Sequence, residues 1–294
     1  MSDSGNYRDS SAWVSASAAA PASAGASSGA ARRDVRVRQV AVTAAEVFCV
    51  VGTLYGTGVI GTRVEESSGG RLAADATLIA PAGPAFSIWS VIYLGLLAYT
   101  IWQWRFANAD TARHRETAWL AVASMVLNAS WLLVTQQGWL EVSVVVIVAL
   151  LLVLGVMLAR LRDRPASGLA ERVVVDGTFG LYLGWVCVAV CANIAATLVG
   201  RGLPATGAVA TTATVVVLAV VAIVAWRVSA ALEGNWFVTA GIVWGLAWVA
   251  VGRFGDEPTS VVVGSVALVV AAVALAVTWL AARRDGGLRV PATA

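Results

Sequence analysis

The chain has 294 residues, 59% of them hydrophobic and only 13% charged, with a mean hydropathy of +0.79. So little charge cannot cover a water-soluble domain of this size, which excludes a soluble enzyme or carrier and points to an integral membrane protein. The net charge of +3 rests on 20 arginines and no lysine; they gather in loops and tails, which argues against nucleic acid and leaves the lipid bilayer as the expected partner.

In chain order, residues 1–37 read as a disordered cytoplasmic tail. They are rich in Ser, Ala and Gly up to about residue 31 and carry no periodic apolar pattern. Arg32, Arg33, Arg36 and Arg38 then precede the first apolar run. Eight runs follow, each long enough to cross a hydrocarbon core of ~30 Å as a helix. They are residues 39–61, 86–104, 119–136, 139–159, 173–199, 205–228, 235–252 and 259–282. Residues 283–294 form a second cytoplasmic tail. The expected fold is therefore an all-α, polytopic membrane helix bundle of eight spans.

The arginines test that count. With the N-terminus inside, sixteen fall on inner segments and four, Arg63, Arg71, Arg201 and Arg253, on outer loops. That asymmetry follows the positive-inside rule and places both termini in the cytoplasm.

Within the spans, Glu46 in span 1 is an intramembrane carboxylate. It reads either as a side chain paired near Arg38 or Gln39 or as a proton or ion site. Gly52/Gly56, Gly180/Gly184 and Gly241/Gly245 have the spacing that lets helix backbones approach closely. Cys49, Cys187 and Cys191 lie in apolar spans and read as small buried hydrophobes. His114, between Arg113 and Arg115, reads as a solvated loop residue. Residues 62–85 make a long polar outer loop ending in Pro81-Ala82-Gly83-Pro84; it is a lid or a linker, and its length favours a role.

Of the thirteen tryptophans, Trp102, Trp104, Trp119, Trp226, Trp236 and Trp279 fall at the inner boundary, where an interfacial belt accounts for them. Trp13 lies in the tail. Trp89, Trp131 and Trp185 are too deep for a belt, Trp139 is at the outer start of span 4, and Trp244 and Trp248 are in the outer half of span 7. The deep ones have companions at helical spacing: Trp89 with Tyr93, Asn128 with Trp131, and Trp185 with Ala189 and Asn193. Spans 2, 3 and 5 would bring these to one depth, either as interhelical glue or as the lining of a box for a flat, weakly polar ligand.

At these residues the chain resembles the translocator protein family, also called tryptophan-rich sensory proteins (TspO/MBR). Pro81 and Trp89 keep the family's eight-residue spacing, and Trp89-Ser-Val-Ile-Tyr93 keeps its Trp-x-x-x-Tyr. Leu127-Asn128-Ala129-Ser130-Trp131 matches the third helix, Gly138-Trp139 the start of the fourth, and Tyr182, Leu183, Trp185, Ala189 and Asn193 the fifth. The chain departs from the pattern at Ala80, Gly83 and Ser87. Ser143 stands where an acid is usual, with Glu141 nearby, and span 5 lacks the sterol-recognition pattern.

The resemblance covers residues 38–203. It implies a five-helix ligand-binding core, with 204–282 as three additional transmembrane helices. It further implies an outer-leaflet cavity for a porphyrin, haem-like or other tetrapyrrole or aromatic ligand, with no cofactor required. Trp89, Tyr93, Asn128, Trp131, Trp139, Trp185, Ala189 and Asn193 would line it, and Pro81 and Pro84 would hinge the lid. A homodimer in a bacterial plasma membrane is compatible with it. A sensory or ligand-handling role is the first expectation, with a secondary transporter using Glu46 as the alternative. An enzyme is disfavoured because no acid–base or metal set accompanies the box; tryptophan-assisted porphyrin breakdown is the one catalytic route left open.

Overall fold

The computed structural model describes residues 22–288. The tail expected over residues 1–21, with Trp13, and residues 289–294 lie outside the described residues. The described chain is helical and has eight helices long and apolar enough to cross a membrane. These are α1 (Ala22–Gly56), α2 (Ile88–Trp102), α3 (Ala112–Gln136), α4 (Leu140–Arg162), α5 (Thr178–Gly200), α6 (Gly207–Ala231), α7 (Trp236–Gly255) and α8 (Val261–Leu288). The protein is a polytopic all-α bundle, and its eight spans coincide with the eight apolar runs. Boundaries differ: α1 starts at Ala22 rather than at residue 39, α3 at Ala112 rather than 119, α8 runs to Leu288 rather than 282, and the second span reaches its length by including the 3₁₀ turn from Gly83 that leads into α2. The Ala-rich stretch before the arginines is therefore helical and continuous with the first span.

Packing follows the order α1–α3–α4–α5, and α2 closes the group by lying against α1 and α5. Beyond α5 the order continues α7–α8–α6. The extra helices thus meet the first five chiefly through one seam, α5 against α7.

Glycine makes that seam. A Cβ on Gly184 would overlap the Val238 carbonyl oxygen, and one on Gly241 would come 2.5 Å from the Leu181 carbonyl oxygen. Backbone therefore meets backbone, which only glycine permits at such a crossing. Gly52 plays a similar part between α1 and α3, where an added Cβ would lie 2.8 Å from that of Ala129. The paired glycines read from the sequence are helix contacts.

Polar groups inside the bundle are tied across helices, as a medium without water requires. Thr278 of α8 bonds Ser229 of α6 at 2.8 Å and Thr239 of α7 at 2.6 Å. At the end of the bundle away from the 57–87 loop, Arg113 of α3 pairs with Glu171 at 3.2 Å and with Asp176. It also donates to the Arg164 carbonyl at 2.7 Å. Asp176 sits in a π-helical turn, Arg172–Gly177, that leads into α5. His114 does not sit in solvent as expected: it is buried, its Nδ1 lying 3.3 Å from the Tyr99 hydroxyl of α2. The partner that buries it comes from another helix, which spacing along α3 cannot reveal.

Replacing Gly184 or Gly241 by leucine is expected to cost at least about 3 kcal/mol, because neither backbone can retreat without opening the seam. Gly155 of α4 faces open space, so Gly155→Ala should be neutral or slightly stabilising. Thermal unfolding in detergent, followed by tryptophan fluorescence, compares the three.

Candidate functional site

The deep aromatics converge at one end of the first five helices. Trp89 stacks on Tyr93, one turn along α2, with ring centroids 5.4 Å apart. It meets Tyr182 and Trp185 of α5 edge-on at 5.7 and 6.2 Å. Phe86 meets Trp185 edge-on from the other side at 5.9 Å. Such edge-to-face pairs are favourable beyond their buried area.

Asparagines fix the wall. Trp131 Nε1 donates to Asn193 Oδ1 at 2.9 Å, and Asn193 Nδ2 donates to Ser143 Oγ at 2.9 Å. α3, α4 and α5 are thereby locked together by three side chains. Asn128 Nδ2 donates to the Tyr93 hydroxyl at 3.2 Å and faces Cys49 Sγ at 3.4 Å.

Two adjoining spaces flank these rings. The first is enclosed by Trp131, Trp185, Phe86, Ala189, Ala192, Asn193 and Ala196 on the helix side and by Arg71, Leu72, Thr77, Ala80 and Pro81 on the loop side. Its free space is about 40 Å³, room for on the order of three water molecules. The second, about 280 Å³, is a cleft between α1 and α2 lined by Thr53, Thr57, Arg63, Glu65, Trp89 and Tyr93, among others. Val64 and Phe86 border both spaces. Together these two side chains separate a narrow chamber from a wider cleft, and the larger space alone approaches the size of small-ligand pockets.

The loop from Thr57 to Ser87 roofs both spaces and is fastened at two sides. On the α3 side, Gln136 bonds the Thr62 hydroxyl at 2.8 Å and the Thr62 carbonyl at 2.7 Å, and Ser68 Oγ donates to the Thr135 carbonyl at 2.8 Å. On the other side, α7 holds it. Trp244 Nε1 donates to the Ala85 carbonyl at 2.9 Å, and the Ala82 amide donates to the Trp248 carbonyl at 3.1 Å. Arg253, wholly buried, donates to the carbonyls of Ala74 (3.0 Å), Thr77 (3.2 Å) and Pro258 (2.9 Å). Pro81 is buried against the chamber, whereas Pro84 is exposed and opens the 3₁₀ turn Gly83–Ser87 that leads into α2.

Of the expected site residues, Trp131, Trp185, Ala189 and Asn193 line the narrow chamber, and Trp89 and Tyr93 line the cleft. Asn128 is one layer beneath, bonded to Tyr93. Trp139 is not brought to either space: it is 58% exposed at the start of α4. Glu46 is buried below the cleft, with Oε2 lacking a hydrogen-bond partner. It lies on one α1 stripe with Cys49, Thr53 and Thr57, and within electrostatic reach of Tyr93 and Tyr182. Sequence reasoning missed Phe86, Ser143, Arg71, Thr77 and the part played by Arg253. Phe86, one residue past the loop and three before Trp89, carried a usable signal; the others did not.

The family model described as TSPO-like protein matches residues 40–280, and the chain belongs to this family. The matched range begins in α1 and runs on through α6, α7 and α8, beyond the five-helix stretch where the motifs cluster. No curated protein and no solved structure matches the chain.

Arg253→Met keeps the bulk but removes the donors for two carbonyls of this loop, Ala74 and Thr77, and for that of Pro258. The expected cost is about 2–5 kcal/mol. Hydrogen exchange should accelerate over residues 72–82 while the helical cores of α3 and α4 stay protected; unchanged exchange there would mean that α7 does not hold the loop.

Proposed function

We propose that this TSPO-like protein binds a flat, weakly polar aromatic molecule of the porphyrin or tetrapyrrole kind, and serves a sensory or ligand-handling role. The observation that carries the reading is the apolar chamber walled by Trp131, Trp185 and Phe86 beneath a fastened loop. Such a lining suits an aromatic plate, with few polar atoms to orient it. The free space under the closed loop is far too small for a tetrapyrrole, so binding requires Phe86, Val64 and the loop to move and join the chamber to the cleft. The arginine asymmetry supports the cleft lying in the outer leaflet of a bacterial plasma membrane, with both termini in the cytoplasm. No cofactor is needed for binding of this kind.

A second reading, proton-coupled transport of a small hydrophobic or zwitterionic solute, has one observation in its favour. Glu46 is a buried carboxylate at the end of a polar stripe, Cys49–Thr53–Thr57, that leads to the open cleft. Intramembrane carboxylates of this sort mark ion paths by default.

Protoporphyrin IX should quench the tryptophan fluorescence of the protein in nanodiscs saturably. Trp131→Leu should weaken binding by at least about tenfold, or 1.4 kcal/mol. Saturable quenching left unchanged by this substitution would remove the assignment. For the second reading, proteoliposome uptake driven by a proton gradient should vanish in Glu46→Gln. Gradient-driven uptake that persists in the variant argues against coupling through Glu46.

A further inference from the structure

The polar atoms left over in the narrow chamber share one chemical character. Asn193 has only a donor left, since its oxygen accepts from Trp131 and one of its two amide hydrogens goes to Ser143. Trp185 lines the chamber with its Nε1 buried and without an acceptor. Indole nitrogen only donates. Thr77, on the loop side, has a buried hydroxyl with no partner. Arg71, also on the loop side, brings five donors and no acceptor.

Arg71 is held at the chamber mouth. Its side chain lies against Gly200, where an added Cβ would be 3.4 Å from Nη1. That is the C-terminal end of α5, where the helix dipole favours a cation. Among the described residues Arg71 forms no salt bridge. Glu141, within its electrostatic reach, is already paired with Arg201 at 3.0 Å. The mouth therefore carries a positive charge without a salt-bridge partner, above an apolar chamber whose free polar groups can all donate.

We propose that the chamber selects an amphipathic anion: an apolar plate between Trp131 and Trp185, acceptor atoms toward Trp185 Nε1 and Thr77, and a carboxylate paired with Arg71. The inference rests on the aromatic-ligand reading above and adds the charge of the ligand and the residue that reads it. Arg71 is a specificity-determining residue in this account. A guanidinium holds a carboxylate in two parallel hydrogen bonds, a geometry that a neutral ester cannot complete.

The test compares protoporphyrin IX, which carries carboxylates, with its dimethyl ester, on full-length wild-type protein and Arg71→Gln in nanodiscs, read by tryptophan quenching. Arg71 is exposed at the loop surface, so the substitution should leave the thermal midpoint unchanged. The wild type should prefer the acid by about three- to tenfold, a modest factor because the pair is partly solvated. Arg71→Gln should bind acid and ester alike, at the affinity of the wild type for the ester. Equal affinities in the wild type, or a preference for the acid that survives Arg71→Gln, would overturn the inference while leaving the aromatic site standing. Failure of both compounds to bind would overturn the underlying reading, and the inference with it.

Discussion

The crossing of α5 and α7 at Gly184 and Gly241 is the contact on which the rest depends. In a bilayer, two helices gain little by hiding apolar surface from one another, since lipid is as apolar as leucine; close packing and hydrogen bonds must hold them. Here the two backbones touch. One helix of that pair carries Tyr182, Trp185 and Asn193, the walls of the aromatic site. The other carries Trp244, Trp248 and Arg253, which hold the roof. The seam therefore sets the distance between wall and roof, and side chains grown on either glycine would unfasten the loop as well as part the helices.

Polar groups in this bundle fall into two classes. Those that bond fully to one another bind helix to helix: Trp131–Asn193–Ser143 at the loop end and the Ser229–Thr278–Thr239 hydroxyls between α6, α7 and α8. Arg113 with Glu171 and Asp176 ties helices at the opposite end too, although Asp176 Oδ2 is left without a partner there. Each replaces the water that a membrane interior lacks. The second class has unspent hydrogen bonds, and among the described residues it occurs at both ends of the bundle: at Thr100, Gln103 and His114 away from the loop, and beside the two spaces next to the rings. Trp185 Nε1 and the Thr77 hydroxyl belong to the chamber, and Glu46 lies under the cleft. An unsatisfied buried polar group is costly, and those that border the two spaces have room beside them for a ligand or water to pair with.

The eight spans were legible because helix length against bilayer thickness and the arginine asymmetry are independent signals that agree. The glycine pairs were legible because close approach leaves a four-residue spacing behind it. Trp185, Ala189 and Asn193 announced one face of α5 by their spacing, and that face does line the chamber. Trp139 misled because a helix-start tryptophan looks the same in sequence whether it turns inward or, as here, to the exterior. Arg253 was read as one of four outer-loop arginines, yet it is wholly buried. Its partners are backbone carbonyls of Ala74, Thr77 and Pro258, and carbonyls have no residue identity for a sequence to display. Ser143 stayed hidden for a related reason. It stands where the family usually has an acid, and its value comes from Asn193, fifty residues away.

The account makes residues 57–87 a roof that α7 holds shut and that a ligand must lift. Hydrogen exchange of the full chain in nanodiscs, with and without saturating protoporphyrin IX, tests this most directly. Ligand-dependent change is expected over residues 71–87, where the loop meets α7 and the chamber, with little change in α6 or α8. Saturable binding accompanied by exchange differences only outside the loop would contradict it.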